Sequence, residues 1–178
     1  HSARDTQRML RDAGLLMSPK PFSMGVRIEH PQELIDRAQY GASAGHEKLP
    51  PAEYHLSART RDGRGVYTFC MCPGGQVIAS ASGPDQVVVN GMSNHARDGV
   101  NANAAIVVQV HNDDTPPHPL AGMRFQAQLE QKAFLLGGQS GRAPAIRAYD
   151  FLHNQKPAPF GGVKPTYRPG VIGSDIRL

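Results

Sequence analysis

The chain has 178 residues, of which 39% are hydrophobic and 19% are charged, and its formal net charge is +4. That length suits a single domain, and the hydrophobic fraction excludes disorder in the middle of the sequence. The sequence lacks the unbroken apolar run of about 20 residues that a membrane-spanning helix needs. Its first residues are polar, which is unlike a secretory signal.

The charged residues and cysteines narrow the choice of partners and compartment. The basic residues are scattered and form neither a basic stripe nor a stacking motif, so we expect no nucleic-acid partner and no membrane partner. Two cysteines, Cys70 and Cys72, are too few for a disulfide framework. They favour a reducing compartment, and we expect a cytoplasmic protein.

Apolar periodicity divides the chain into helices and strands. Helices are predicted over residues 3–15, 31–38, 120–136 and 145–154, and strands over 22–30, 53–60, 65–72, 76–82, 86–92 and 102–110. The four strands between 53 and 92 are joined by tight turns, which predicts an antiparallel meander. The whole pattern predicts an α+β fold, with an antiparallel sheet that is open or barrel-like and the helices near 120–136 and 145–154 packed on it.

Three further patterns have a structural explanation that we favour over a chemical one. Cys70 and Cys72 lie two positions apart in one strand, where a disulfide would be strained, so packing of two small side chains is preferred. The loop residues His111, Asp113, Asp114 and His118 match no metal signature, and we expect no metal site. The stretch GGQSGRAP (137–144) lacks the ending of a phosphate loop, and a helix C-cap explains its glycines.

The loop from Asn90 to Gly99 is the most informative polar segment. It follows a strand and contains Asn, Ser, His, Arg and Asp side chains between glycines, and loops at strand ends often carry binding groups. An ion pair between Arg97 and Asp98 that ties the loop explains the same residues equally well. A Ser-His-Asp elbow, a zinc helix motif and a G-x-G-x-x-G fingerprint are all absent from the sequence, so the chain has no complete catalytic constellation.

Whole phrases of the sequence resemble a bacterial family of uncharacterised FAD-dependent, or NAD(FAD)-utilising, dehydrogenases. The most specific phrases are CMCPGG (70–75) and NGMS-x-x-ARDG (90–99), and further phrases lie at 1–6, 20–41, 65–80, 89–108, 118–134 and 165–171. The resemblance implies that residues 1–178 are one excised middle domain, inserted into a Rossmann-type FAD domain. It implies FAD in the full-length parent, with the segments around the fingerprint outside this sequence.

The resemblance also implies that this domain covers the flavin and shapes the substrate pocket of an oxidoreductase. Residues 1–15 and 156–178 are then expected to contact the parent's own FAD-binding domain. We predict that the pocket wall for flavin or a small-molecule substrate combines the Cys70–Gly75 region with the loop from Asn90 to Asn101, because both follow strands of one meander. The predicted site residues are Cys70, Cys72, Pro73, Gly74, Gly75, Asn90, Ser93, Arg97, Asp98 and Asn101.

A second hypothesis remains beside the first. The chain is then a free-standing basic β-rich module that binds a small anion or a protein partner without a cofactor. On either hypothesis we expect no FAD bound to this chain alone, because no strand in it is followed by the glycine turn that holds a pyrophosphate. The sequence assigns no general acid or base.

Overall fold

The structure, a computed structural model, describes residues 2–81 and 83–177. Its helices are α1 (Arg4–Asp12), α2 (Gln32–Tyr40), α3 (Ala121–Leu136) and α4 (Ala148–Leu152). Its strands are β1 (Phe22–Pro31), β2 (Ser57–Arg59), β3 (Gly65–Cys72), β4 (Gly75–Ala79), β5 (Val89–Ser93), β6 (Asn101–Val110), β7 (Ala143–Ala145) and β8 (Val171–Gly173). Three residues of the predicted ranges lie outside the described residues. They are His1, the first residue of 1–15, Ser82, the last residue of 76–82, and Leu178, the last residue of 156–178.

The largest sheet has four antiparallel strands in the order β1-β6-β3-β2. The register between β1 and β6 is continuous, from Phe22 opposite Val110 to Pro31 opposite Asn101. β4 and β5 form a separate antiparallel hairpin, and β7 and β8 pair in parallel. The predicted α+β class with an antiparallel sheet is confirmed, and the sheet is open, because β1 and β2 form its two edges.

Strand pairing differs from the predicted meander at one point. β3 pairs with β6, more than 30 positions further along the chain, and not with the next strand β4. The chain turns out of the sheet at Pro73 and Gly74, and β4 then pairs with β5. The two faces of the sheet have different chemistry: one carries Met24, Val26 and Ile28 from β1, and the other carries Arg27 and Glu29.

The helices close the ends of the sheet. The Phe125 ring of α3 packs edge-on against Phe22 of β1, with centroids 6.2 Å apart. The other side of α3 contributes Ala133 and Phe134 to a core with Val77, Val87, Ala143 and Tyr167. The predicted helix over 145–154 is shorter than expected, since residues up to Ala145 form β7 and pair with β8 in the tail. Among the described residues, no helix combines the length and the apolarity needed to cross a membrane.

Candidate functional site

The turn after β3 and the loop after β5 lie against each other, as predicted. Gly75 pairs with Ser93 in the hairpin, and the Ser93 hydroxyl donates a hydrogen bond to the Pro73 carbonyl at 2.7 Å. The backbone N–H of Gly99 donates to the carbonyl of Gly74 at 3.1 Å. The two segments therefore form one continuous surface at the end of β3.

Gly74 is required by the close approach of these two segments. Its φ is +52°, a conformation that side chains with a Cβ rarely adopt. A Cβ at this position would lie 1.8 Å from the carbonyl oxygen of Arg97. The backbone N–H of Gly74 donates to the side chain of Gln32 at 2.8 Å, which fixes the turn against α2. The backbone of the loop thus fills the space that the missing side chain leaves.

An open groove of about 530 Å³ lies on this surface, and we call it the glycine groove. The turn, the loop and the tail each contribute to its lining, which consists of Gly74, Gly75, Gln76, Met92, Asn94, Gly99, Val100, Asn101, Gly162, Lys164 and Thr166. Among these lining residues, Lys164 alone carries a charge. The lining therefore carries one positive charge, and four of its eleven residues are glycines.

Apart from Arg97 and Asp98, the predicted site residues fall into four groups around the glycine groove. Gly74, Gly75 and Asn101 line it, whereas Cys72 and Pro73 are buried in the turn behind it. Ser93 holds that turn from the end of β5. Cys70 and Asn90 lie apart from the groove lining, around the side chain of Arg27.

Arg97 has a partner that the sequence did not suggest. Its guanidinium donates to the Glu53 carboxylate at 2.5 Å, and both side chains are partly exposed. Asp98 follows Arg97 in the loop, but in the described part of the chain the ion pair of Arg97 is with Glu53. Pairing with another chain segment therefore accounts for Arg97, and Asp98 stays exposed.

One wall of the groove is fastened to the sheet by Glu29, which sequence reasoning missed. The Glu29 carboxylate accepts hydrogen bonds from the Thr166 hydroxyl at 2.5 Å and from the Asn101 amide at 2.9 Å. The N–H of Val77 in β4 donates to the same Thr166 hydroxyl at 2.8 Å. The tail is thus tied to β1, β4 and β6 at one point, although it is far from them in sequence.

A second missed residue, Arg27, holds the other predicted residues together. Its guanidinium donates to the side-chain oxygen of Asn103 at 2.6 Å, to the Cys70 carbonyl at 3.1 Å and to the Asn90 side chain at 3.3 Å. Asn103 is completely buried. These acceptors are neutral oxygens, and among the residues that the structure describes Arg27 forms no ion pair.

Cys70 and Cys72 do not share a face, contrary to the expected alternation. The register of β3 shifts between Phe69 and Cys72, and Cys70 has a φ of +49° at this bulge. Both thiols are free, with Cys70 exposed and Cys72 buried. Burial, and then the neighbouring Cys70, raise the pKa of the Cys72 thiol.

The remaining polar patterns have structural roles. Asp114 accepts two hydrogen bonds from the Arg64 guanidinium, which hold the pKa of its carboxyl well below the usual range. His118 accepts a hydrogen bond from the N–H of Leu120 at 3.0 Å. Among the described residues, no group of three or more His, Cys, Asp or Glu side chains is arranged to hold a metal ion. In the 137–144 stretch, Gly137 is the C-cap of α3, as the helix-end interpretation expects.

The structure is an open α+β domain with a glycine-containing groove, and comparison with known proteins assigns its family. Residues 21–178 match the family described as FAD-dependent protein, C-terminal domain-like, and the chain belongs to that family. A relative described as an uncharacterized protein of Clostridium beijerinckii is 48% identical over 172 residues. The match covers 96% of this chain but 32% of the relative, so the chain spans about a third of that protein's length.

Among the described residues, none of the three strand-to-helix junctions, β1–α2, β6–α3 and β7–α4, contains a glycine turn. A pyrophosphate normally lies on a helix N-terminus behind a glycine turn. β1 runs directly into α2, but the junction is Pro31–Gln32, and the N–H of Gln32 already donates to the Val100 carbonyl at 2.9 Å. The junction between β7 and α4 consists of Ile146 and Arg147, again without glycine. What the chain offers instead is the glycine groove.

Proposed function

We propose that this chain is the substrate, or cap, domain of an FAD-dependent oxidoreductase, and that the glycine groove forms part of the pocket wall over the flavin. The observation that carries the proposal is the convergence of the 72–75 turn, the 90–101 loop and the tail on one groove. The family is FAD-dependent. Beyond the part that matches this chain, the Clostridium beijerinckii relative has about twice as many residues as the matching part, which leaves room for a nucleotide-binding part.

In this proposal the chain positions the substrate and the bound flavin supplies the electron chemistry. Lys164 is the charged residue of the groove lining, so the groove favours an anionic group such as a carboxylate. Backbone groups of the turn and the Asn94 side chain orient the substrate, and the groove walls exclude water from it. The two free thiols favour a reducing compartment, in agreement with a cytoplasmic enzyme.

Two variants of the full-length gene product test this proposal. Lys164→Ala removes the positive charge of the groove, and we expect KM for an anionic substrate to rise about tenfold, which corresponds to one lost charged hydrogen bond. Gly162→Val adds a branched side chain to the groove lining and so narrows the groove. A Cβ at this position meets no atom within 4 Å, so the fold is left undisturbed. We expect this variant to lower kcat/KM while the flavin spectrum is retained.

Lys156→Ala is the matched control, since Lys156 is exposed in the same tail and does not line the groove. Its kinetics should equal those of the unaltered protein. Unchanged turnover and substrate affinity in both groove variants would show that the pocket wall lies elsewhere. A colourless full-length protein would favour the free-standing anion-binding or protein-binding module instead.

A further inference from the structure

One face of the four-stranded sheet, which we call the apolar sheet face, carries two rows of mainly apolar side chains. The register places Met24, Val108 and Val66 in one row across β1, β6 and β3, and Val26, Ile106 and Thr68 in the next. Directly opposite residues of an antiparallel pair point to the same side. A hydrogen bond from the Thr68 N–H to the Leu56 carbonyl extends the second row to Leu56. These two rows contain no charged side chain.

The rest of the chain covers the middle of this face only in part, where Met24, Ile106 and Val108 are half-buried. At one end Phe22 packs against Phe125 of α3, and at the other end Ala104 is completely buried. Between them, Val26 is 46% exposed and Leu56 is 62% exposed. An antiparallel sheet normally buries its apolar face against a second layer, and here that layer is incomplete.

The accessible surface area of the whole chain is larger than its mass predicts. The chain exposes 11448 Å² of accessible surface and has a mass of 19.2 kDa. A folded monomer of that mass usually exposes about 8,400 Å², so the excess is about 3,000 Å². An ordinary dimer interface covers about 800 Å² on each partner. The excess of the whole chain is larger than an ordinary dimer contact covers and lies above the roughly 1,000–2,500 Å² that each partner of an obligate dimer buries. A second domain of a longer chain is large enough to cover it.

We propose that the apolar sheet face is the surface on which the remainder of the parent polypeptide packs. This inference rests on the proposed function, in which the chain is one part of a longer flavoprotein. This chain spans 32% of the Clostridium beijerinckii relative, and the remaining residues of that protein supply the length that such a contact needs. The absence of charge in the two rows suits a permanent, apolar contact between parts of one protein.

Labelling of introduced cysteines in the full-length gene product, beside the native Cys70 and Cys72, tests the assignment. Val26→Cys places a small thiol on the face, and Leu34→Cys is the control, because Leu34 lies on α2 and is 58% exposed. Maleimide labelling is measured in the native and the urea-unfolded protein, and each site is identified by peptide mass. We expect Val26→Cys to be labelled at least about tenfold more slowly than Leu34→Cys in the native protein after this normalisation. Leu56→Cys is a second probe of the same face if Val26→Cys lowers expression.

The possible results separate the occupants of the face. Equal labelling of Val26→Cys and Leu34→Cys would overturn the proposal by showing an open face. Protection that disappears on dilution to a sedimenting monomer, or a cross-link between Val26→Cys of two copies, would assign the face to a second copy and also overturn it. Protection in the monomer supports it. The flavin spectrum and groove-variant kinetics report separately on the proposed function, so a colourless protein with a protected Val26→Cys would refute only the function.

Discussion

Gly74 shows how a single residue controls the candidate site. Replacement by alanine forces a Cβ against the Arg97 carbonyl and requires an L side chain at a φ of +52°. Because the obstructing atom belongs to the backbone, relief requires the turn and the loop to separate.

We expect Gly74→Ala to lower the free energy of unfolding by about 2–4 kcal/mol, combining overpacking with backbone strain. Gly162→Ala, at another residue of the groove lining, meets no atom within 4 Å and should change stability by about 0.5 kcal/mol or less. Urea unfolding of both variants measures the difference, and equal midpoints would contradict the packing seen at Gly74.

The two cysteines should differ in reactivity. The raised pKa of the Cys72 thiol keeps it protonated at neutral pH, and only the thiolate reacts. Iodoacetamide at pH 7–8 should therefore modify exposed Cys70 about tenfold faster or more, with Cys72 reacting only as the pH rises further. Peptide mass mapping after timed quenching follows each site. Faster modification of Cys72 than of Cys70 would contradict the buried position of the Cys72 side chain.

Arg27 and Glu29 show why part of the site was invisible in the sequence. Both occupy the polar positions of an alternating strand, where a solvent-facing side chain is the ordinary interpretation. Their partners Asn103, Asn101 and Thr166 lie far along the chain. The 70–75 and 90–99 segments, by contrast, were located because turn residues and strand ends are local signals.

At the scale of elements, helix α1 depends on one buried ion pair. Arg4 donates to both carboxylate oxygens of Glu130 on α3, and both side chains are more than nine-tenths buried. The second arginine of α1, Arg8, pairs with exposed Asp5 one turn away. The contact between α1 and the rest of the domain therefore rests on Arg4 far more than on Arg8.

Arg4→Ala leaves the Glu130 charge buried without its partner, which should cost about 3–5 kcal/mol of unfolding free energy. Arg8→Ala removes a surface pair and should cost less than about 1 kcal/mol. Thermal unfolding compares the two variants, and proteolysis near residue 12 reports release of the helix. A similar small loss in both variants would mean that α1 is not anchored through Arg4.

The elements that the sequence located best are those with long regular patterns. The strand predicted over 22–30 is β1 (Phe22–Pro31), and the helix predicted over 120–136 is α3 (Ala121–Leu136). The pairing of β3 with β6 was missed because a local turn favours neighbouring strands, whereas the actual partner is chosen by packing. β8 was missed because its flanking Pro and Gly residues hide a three-residue strand.

At the scale of the whole molecule, the chain should not bind FAD by itself. None of the three strand-to-helix junctions in the described part of the chain has the glycine turn that a pyrophosphate needs. Titration of the purified 178-residue chain with FAD, followed by flavin fluorescence, should show no saturation in the micromolar range. The purified full-length gene product, in contrast, should be yellow with a flavin absorbance spectrum. Micromolar binding by the chain alone would require a nucleotide site that the described residues do not show.

The attachment of Thr166 to Glu29 and Val77 has a consequence for biosynthesis. Residues 162–166 form one wall of the glycine groove, and they are among the last of this sequence to leave the ribosome. A nascent chain that has not yet exposed Thr166 has β1, β4 and β6 available but lacks the hydroxyl that joins them to the tail. In such a chain the glycine groove lacks one wall. Formation of the complete groove is thereby coupled to synthesis of this part of the polypeptide, and a message truncated ahead of residue 166 yields a product that lacks one wall of the groove.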